Sequence, residues 1–177
     1  GRSSTALYYA IDGIPPVSDP ILVLNGERGG EAGVDPTVVN NVCFPNAVAP
    51  TYAPAGKSLA SVTLVGCPSG DDAALDAAVR PQLAQWFGEG EVAGWRLLRT
   101  YKVPYAQPTQ KGLGFPLAAK PKLADRVYCC GDYTTTPTLN GAMASGRLAA
   151  EALLADLGIA AAPGAGAAVA EAQEAAL

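Results

Sequence analysis

One segment near the C-terminal end combines residue types that can hold an electron-rich ligand. Within residues 126–153, an apolar run at 127–130 ends in Gly131-Asp132, a polar loop follows, and a Gly/Ala/Ser-rich helix is expected from about Leu139. When an acidic residue at the end of a buried strand lies beside a helix N-terminus, a ligand there can meet both a carboxylate and backbone N–H groups that have no partner within the helix. We expect such a site to suit an electron-rich, hydroxyl-bearing ligand.

The same segment resembles the C-terminal flavin-binding segment of FAD-dependent amine oxidases, protoporphyrinogen oxidases and phytoene-desaturase-like enzymes. In that family a Gly-Asp or Gly-Glu pair ends the last strand of the FAD domain, and a Gly-rich helix follows beneath the isoalloxazine. The similarity covers roughly residues 5–155 and is strongest at 126–153. It implies the C-terminal portion of a flavin-dependent oxidoreductase that oxidises a hydrophobic or amphipathic small molecule by hydride transfer to FAD.

The resemblance also implies roles for individual residues. Asp132 would accept a hydrogen bond from a ribityl hydroxyl or approach the pyrophosphate through water, and Gly131 would let the backbone come close. Amide donors at the helix start would face the N1/C2=O edge of the flavin and stabilise the negative charge that builds up on reduction. The predicted cofactor-binding residues are Gly131, Asp132, Leu139, Asn140, Gly141, Ala142, Met143 and Ser145.

Each assignment has a structural alternative. Asp132 could be an ordinary turn or capping acid, and the Gly/Ala face could serve helix–sheet packing at the same time. Tyr101 and Tyr105 are candidates for the substrate side of the flavin ring, although such aromatic residues more often belong to a core. No catalytic residue is assigned.

The chain departs from the family pattern in one large respect. It has no Gly-x-Gly-x-x-Gly turn after its first strand, which the family uses to bind the ADP half of FAD. We therefore expect a fragment that is inactive without an N-terminal FAD-binding portion of the same polypeptide. Two alternatives stay open, namely a non-catalytic binding or assembly module derived from this fold, and a non-redox flavin-dependent isomerase.

Composition excludes several other classes. The chain of 177 residues has a net charge of −4, which argues against nucleic-acid binding, and it contains no histidine. A Ser-His-Asp triad and a His-ligated metal are thereby excluded within this chain. No run of about 18 apolar residues predicts a transmembrane segment.

Charge and cysteine placement give weaker signals. Seven of the twelve basic residues lie between Arg96 and Arg126, which predicts either a solvated face or a rim for anionic lipid headgroups or an anionic substrate. The four cysteines lack C-x-x-C spacing, and we expect free, buried thiols in a reducing compartment, with a redox role for the adjacent pair Cys129-Cys130 as the alternative. The Ala/Gly-rich tail suggests a plastid protein of a green alga.

Hydrophobic periodicity predicts a mixture of strands and helices, and the resemblance implies that they form an α+β part of an α/β FAD-binding fold. Antiparallel strands are expected at 6–11, 20–24, 38–44, 60–66 and 94–103, with one helix at 71–87 capped by Asp71 or Asp72. The last strand and the C-terminal helix of the FAD domain would follow. We expect a substrate-domain part at 1–108, a connection at 109–125, the FAD-binding segment at 126–157 and a low-complexity tail at 158–177.

Overall fold

A computed structural model describes residues 1–26, 37–109 and 120–159. The chain divides into two compact units, Gly1–Gln107 and Pro108–Leu177. The predicted loop that continues to Pro36, most of the predicted connection and the tail from residue 160 lie outside the described residues.

The first unit is built on a five-stranded sheet with the order β2-β3-β4-β1-β5. Every neighbouring pair in it is antiparallel. The strands are β1 (Arg2–Asp12), β2 (Leu22–Leu24), β3 (Val39–Cys43), β4 (Lys57–Val65) and β5 (Arg96–Gln107). The α+β class with an antiparallel sheet is confirmed.

Buried and less buried residues alternate along the two central strands, β1 and β4, so the sheet has a core face and an outer face. On β1, Thr5, Leu7, Tyr9 and Ile11 are buried, whereas the residues between them are only partly buried. On β4 the buried positions are Ser58, Ala60, Val62 and Leu64. Since side chains of a strand point alternately to its two sides, these buried residues share one face, which we call the core face.

Helix α2 (Asp72–Phe87) supplies apolar side chains to the core. A short helix α1 (Pro45–Val48) and a 3₁₀ turn (Pro50–Tyr52) precede it. The Asp71 carboxylate caps α2 by accepting a hydrogen bond from the Ala74 N–H over 2.8 Å, and Gly88 ends it with φ of 93°. The predicted helix is therefore confirmed.

The spacing of apolar residues in the sequence predicts that Ala74, Leu75, Ala78, Val79 and Leu83 share one buried face of α2, and the structure corrects this prediction at one position. Leu75, Val79 and Leu83 are buried as predicted, and Ala78 is partly buried, but Ala74 is exposed. Ala74 lies in the first turn, beside the Asp71 cap, where the helix starts at the surface. The helix buries its leucine and valine side chains, and these contribute most of its apolar contact area.

A further short helix, α3 (Glu89–Ala93), follows Gly88 and is missing from the sequence-based prediction. Arg80 on α2 holds it by donating from Nη1 to the Val92 carbonyl and from Nη2 to the Trp95 carbonyl, over 3.0 and 2.8 Å. Arg80 Nε also pairs with Asp76, and the other carboxylate oxygen of Asp76 accepts from the Tyr9 hydroxyl over 2.8 Å. Burial and this hydrogen bond raise the pKa of the Tyr9 phenol far above its ordinary range.

Strand β5 is longer than predicted. The sequence placed its end before Pro104, but the strand runs through that proline to Gln107. A proline lacks the N–H that a central strand needs, yet β5 is an edge strand that pairs only with β1, so one N–H can be absent without leaving a partner unpaired. The predicted end at Val103 is wrong for this reason.

The second unit contains a hairpin and one long helix. The hairpin pairs β6 (Lys122–Ala124) with β7 (Val127–Tyr128), and helix α4 spans Leu139–Asp156. Its start agrees with the prediction. The Asp156 carboxylate near the end of α4 pairs with Lys122 Nζ over 2.6 Å and accepts from the Tyr128 hydroxyl. These contacts attach the hairpin to the C-terminal end of the helix.

Two details of this unit and of the cysteines differ from the prediction. The expected buried strand at 127–130 has only two strand residues, and Val127 is half exposed. The cysteines are free, as expected, but Cys67 and Cys130 are exposed, so the predicted burial of all four thiols is wrong. Among the described residues, no helix combines the length and apolarity that crossing a membrane requires.

Candidate functional site

The Gly131-Asp132 turn has a backbone conformation that requires glycine. Gly131 has φ of 152° and ψ of 165°, a region that residues with a side chain rarely adopt. A Cβ at this position would lie 2.3 Å from Cε1 of Tyr133, so the tyrosine ring occupies the space. A 3₁₀ turn (Asp132–Thr134) follows, and both the backbone N–H and the hydroxyl of Thr134 donate to the Gly131 carbonyl, over 3.0 and 2.7 Å.

A serine on α4 ties this turn to the helix. The Gly131 N–H donates to Oγ of Ser145 over 2.8 Å, and the Ser145 hydroxyl donates to the Ala142 carbonyl over 2.7 Å. Ser145 is only 3% exposed. The sequence predicted Ser145 as a cofactor-binding residue, and the structure shows that its side chain bonds directly to the turn.

Threonine side chains secure the start of α4. Thr138 caps the helix because its Oγ1 accepts from the Gly141 N–H over 3.0 Å and its carbonyl accepts from the Ala142 N–H over 2.9 Å. The Thr135 hydroxyl donates to the Gly141 carbonyl over 2.8 Å. These hydroxyls therefore stabilise the junction between the loop and the helix.

The capping corrects one expectation about the helix start. We predicted open amide donors at Asn140, Gly141, Ala142 and Met143, but the Gly141 and Ala142 N–H groups both bond to Thr138. Met143 lies deeper in the helix, where its N–H belongs to the i to i−4 ladder. The N–H groups that precede the helical ladder are those of Leu139 and Asn140. Sequence reasoning missed Thr138, although a threonine directly before the first residue of a helix is a cap signal.

Gly141 marks a close approach between the loop and the helix. A Cβ there would lie 1.9 Å from the Thr136 carbonyl oxygen and 2.6 Å from the Thr136 Oγ1. Gly141 is buried, and no side chain fits at this position without moving the loop. The close approach at Gly141 is therefore between two parts of the protein itself, whereas the close approach to a cofactor predicted for Gly131 stays a prediction.

Several predicted site residues surround this turn and face solvent. Leu139, Asn140 and Met143 are exposed on the first turns of α4. Asp132 is partly buried, and within the described part of the chain its carboxylate accepts no hydrogen bond that would occupy it. The Asp132 carboxylate offers an acceptor, and the N–H groups at the start of α4 offer donors, to a polar, hydroxyl-bearing ligand.

Tyr101 and Tyr105 belong to the first unit and lie on β5. They are 49% and 64% exposed, so they are surface residues, and the alternative that they belong to the core is wrong. Tyr105 lies with its ring against Gly1. Tyr101 packs edge-on against Tyr8, with ring centroids 5.8 Å apart and an interplanar angle of 82°.

The outer face of the sheet is the side opposite the core face. It carries two rows of aligned residues, Arg99-Tyr8-Ser61-Cys43-Leu22 and Tyr101-Ala6-Thr63-Asn41-Leu24. Burial raises the pKa of the Cys43 thiol, and a hydrogen bond with Ser61 opposes that shift. The face therefore combines hydroxyl, amide and aromatic groups with apolar ends.

Comparison with known proteins defines the class of this chain. The model of the flavin containing amine oxidoreductases matches residues 16–154, and the chain belongs to that family. Membership implies a flavin cofactor. No curated protein matches the sequence significantly.

Solved structures with a similar fold are larger than this chain. The PF1083 protein from Pyrococcus furiosus is similar over 93% of this chain, with 14% sequence identity and a TM-score of 0.50. Reduced UDP-galactopyranose mutase matches over 75% of the chain, with 14% identity and a TM-score of 0.44. The chain spans 34% and 29% of the lengths of these two structures.

Proposed function

We propose that this chain is the C-terminal portion of an oxidoreductase that uses FAD to oxidise a hydrophobic or amphipathic small molecule by hydride transfer. Family membership supports a flavin enzyme of the amine oxidoreductase class. FAD as the particular flavin, hydride transfer as the reaction and the class of substrate are parts of the proposal.

One observation carries the proposal most directly. Asp132 follows a glycine whose N–H is fixed to Ser145 on α4, so the turn that carries the carboxylate is tied to that helix. The arrangement gives an acid with free acceptor oxygens and, at the start of the helix, backbone donors that no helical bond uses. A flavin side chain bears hydroxyl groups, which such an acid can bind.

The residues of this site fit part of an FAD molecule. Asp132 would accept from a ribityl hydroxyl, and the Leu139 and Asn140 N–H groups would donate toward the electron-rich edge of the ring. FAD, when bound, supplies the acceptor for the two electrons and the hydrogen that leave the substrate. The chain's own contribution is to orient the cofactor and to place positive helix-end potential near it.

The outer face of the sheet is the surface that we assign to the substrate. Tyr101 projects from it, Tyr105 follows on the same strand, and both are exposed; neighbouring positions carry small or apolar side chains. This composition suits an amphipathic molecule, because the rings provide apolar contact area while their hydroxyls stay polar.

Equilibrium dialysis of the full chain against FAD tests the proposed site. Loss of a charge-assisted hydrogen bond in Asp132→Ala is expected to raise the FAD dissociation constant about tenfold. Asp125→Ala, which removes an exposed acid on the same unit, is the matched control and should leave FAD affinity unchanged. Equal FAD affinities of the two variants would show that Asp132 does not hold the cofactor.

A further inference from the structure

A guanidinium group lies above an aromatic pair on the outer face of the sheet. Arg99 Cζ is 5.4 Å from the centroid of the Tyr101 ring, and the Tyr101 ring packs edge-on against Tyr8. The register explains this cluster, because Arg99 is opposite Tyr8 on the neighbouring strand and Tyr101 is opposite Ala6. All three side chains therefore project from the same face.

Arg99 carries an uncompensated charge. Among the described residues the ion pairs are Lys57–Asp12, Arg80–Asp76, Lys122–Asp156 and Arg147–Glu151, and Arg99 takes part in none of them. It is exposed, and the ring beneath it limits its orientations. A guanidinium placed over an aromatic ring keeps its in-plane N–H donors available for a planar anion.

We propose that Arg99, Tyr8 and Tyr101 form a subsite for the carboxylate of an amphipathic substrate. Arg99 binds the carboxylate through paired N–H donors, and the two tyrosine rings contact the apolar or aromatic body of the same molecule. This inference rests on the proposed function, since it names the chemical class of the substrate that the outer face receives.

Charge complementarity selects a carboxylate over other groups. The cluster offers one free positive charge and a planar fork of donors, which matches a singly charged planar anion. A phosphate monoester carries more negative charge and calls for additional cations. The other arginine on this face is Arg96. The pKa of the Asp12 carboxyl is lowered chiefly by its ion pair with Lys57 and to a smaller extent by Arg96, so the charge of Arg96 is partly balanced. An ammonium ligand would be repelled by Arg99.

Titration of the full chain with phenylacetate, followed through the ring resonances of Tyr8 and Tyr101 in NMR spectra, tests the subsite. Phenylacetamide, which has nearly the same shape but no charge, is the matched ligand. We expect phenylacetate to shift both tyrosines and to bind about tenfold more tightly than phenylacetamide, because a charge-assisted hydrogen bond is lost with the amide.

Substitutions at Arg99 and Arg96 distinguish specific binding of the carboxylate by Arg99 from a general attraction of anions to the basic face. Arg99→Gln is expected to weaken phenylacetate binding about tenfold, and Arg99→Lys to restore only part of it because the fork is lost. Arg96→Gln is the control and should bind phenylacetate as the unchanged chain does. The same spectra show that each variant is folded, since they report the buried Tyr9 and Trp95.

Two results would overturn the subsite: equal phenylacetate affinity of Arg99→Gln and Arg96→Gln, or equal affinity of the unchanged chain for phenylacetate and phenylacetamide. FAD dialysis of the same samples distinguishes this failure from failure of the proposed function. If Asp132→Ala weakens FAD binding but Arg99→Gln leaves phenylacetate affinity unchanged, only the subsite is wrong. If Arg99 selects phenylacetate but Asp132→Ala leaves FAD binding unchanged, the carboxylate subsite is supported and the proposed flavin site is wrong.

Discussion

The backbone N–H of Gly131 donates to Oγ of Ser145 over 2.8 Å, across fourteen positions of the sequence. This bond joins the turn that carries Asp132 to the buried side chain of Ser145 on α4. The Ser145 hydroxyl in turn donates a hydrogen bond to the Ala142 carbonyl. Asp132 therefore depends for its position on a side chain in the second turn of α4. The arrangement makes Ser145 a positioning residue for the candidate site.

Ser145→Ala tests that role. The substitution leaves the Gly131 N–H without its acceptor, which is expected to lower the free energy of unfolding by about 1–3 kcal/mol. Hydrogen exchange of the Gly131 amide should become faster, and this readout is specific to the lost bond. Ser69→Ala, at an exposed serine of the first unit, is the control. Unchanged exchange at Gly131 would contradict the role assigned to Ser145.

Two glycines of α4 make a matched pair for testing the close approach of the loop. In Gly141→Ala the new Cβ would lie 1.9 Å from the Thr136 carbonyl oxygen, so the loop must move. A Cβ added at Gly146 would point into open space, with nothing within 4 Å beyond the neighbouring backbone of the helix itself. An alanine there gains helix propensity, and Gly146→Ala is expected to stabilise the protein by about 0.5–1 kcal/mol.

Gly141→Ala and Gly146→Ala should thus change the free energy of unfolding, measured by chemical denaturation, in opposite directions. Gly141→Ala is expected to destabilise by about 1–3 kcal/mol, as overpacking of a tight site does. It should also weaken FAD binding, because the loop that precedes the helix shifts. A Gly141→Ala variant as stable as Gly146→Ala would mean that the loop does not approach the helix in solution.

Much of this architecture could be predicted from the sequence because its signals are local. The alternation of residues in β1 and β4 and the Asp71 cap with its terminating Gly88 each depend on neighbours within a few positions. The start of α4 at Leu139 was predicted from the Gly/Ala/Ser-rich composition that follows the polar loop. These elements agree with the structure for that reason.

The misses have a common cause, which is tertiary context. Helix α3 is stabilised by Arg80, which donates to the carbonyls of Val92 and Trp95, twelve and fifteen positions later. No local sequence pattern predicts contacts over that separation. Pro104 fails to end β5 because the strand lies at the sheet edge. The cap of α4 is an exception, because Thr138 bonds to the amides of Gly141 and Ala142 only three and four positions later, and the prediction overlooked this local signal.

The last prediction concerns the buried phenol of Tyr9. Its hydroxyl donates to Asp76 over 2.8 Å, and burial together with that carboxylate holds its pKa far above the ordinary value of about 10. In the unfolded chain the phenol ionises near that ordinary value. The folded state then binds more protons than the unfolded state, so stability is fully present below pH of about 10 and falls as pH rises further.

Tyr9→Phe should remove this alkaline dependence along with the hydrogen bond. We expect the free energy of unfolding at neutral pH to fall by about 1.5–3 kcal/mol, since the lost bond is made to a charged acceptor. The difference between the two proteins should then shrink steadily above pH of about 10, where only the unchanged chain loses stability through this phenol. Tyr52→Phe, at an exposed tyrosine, is the control and should track the unchanged chain throughout. A constant difference between Tyr9→Phe and the unchanged chain across the alkaline range would show that Tyr9 ionises as freely in the fold as outside it.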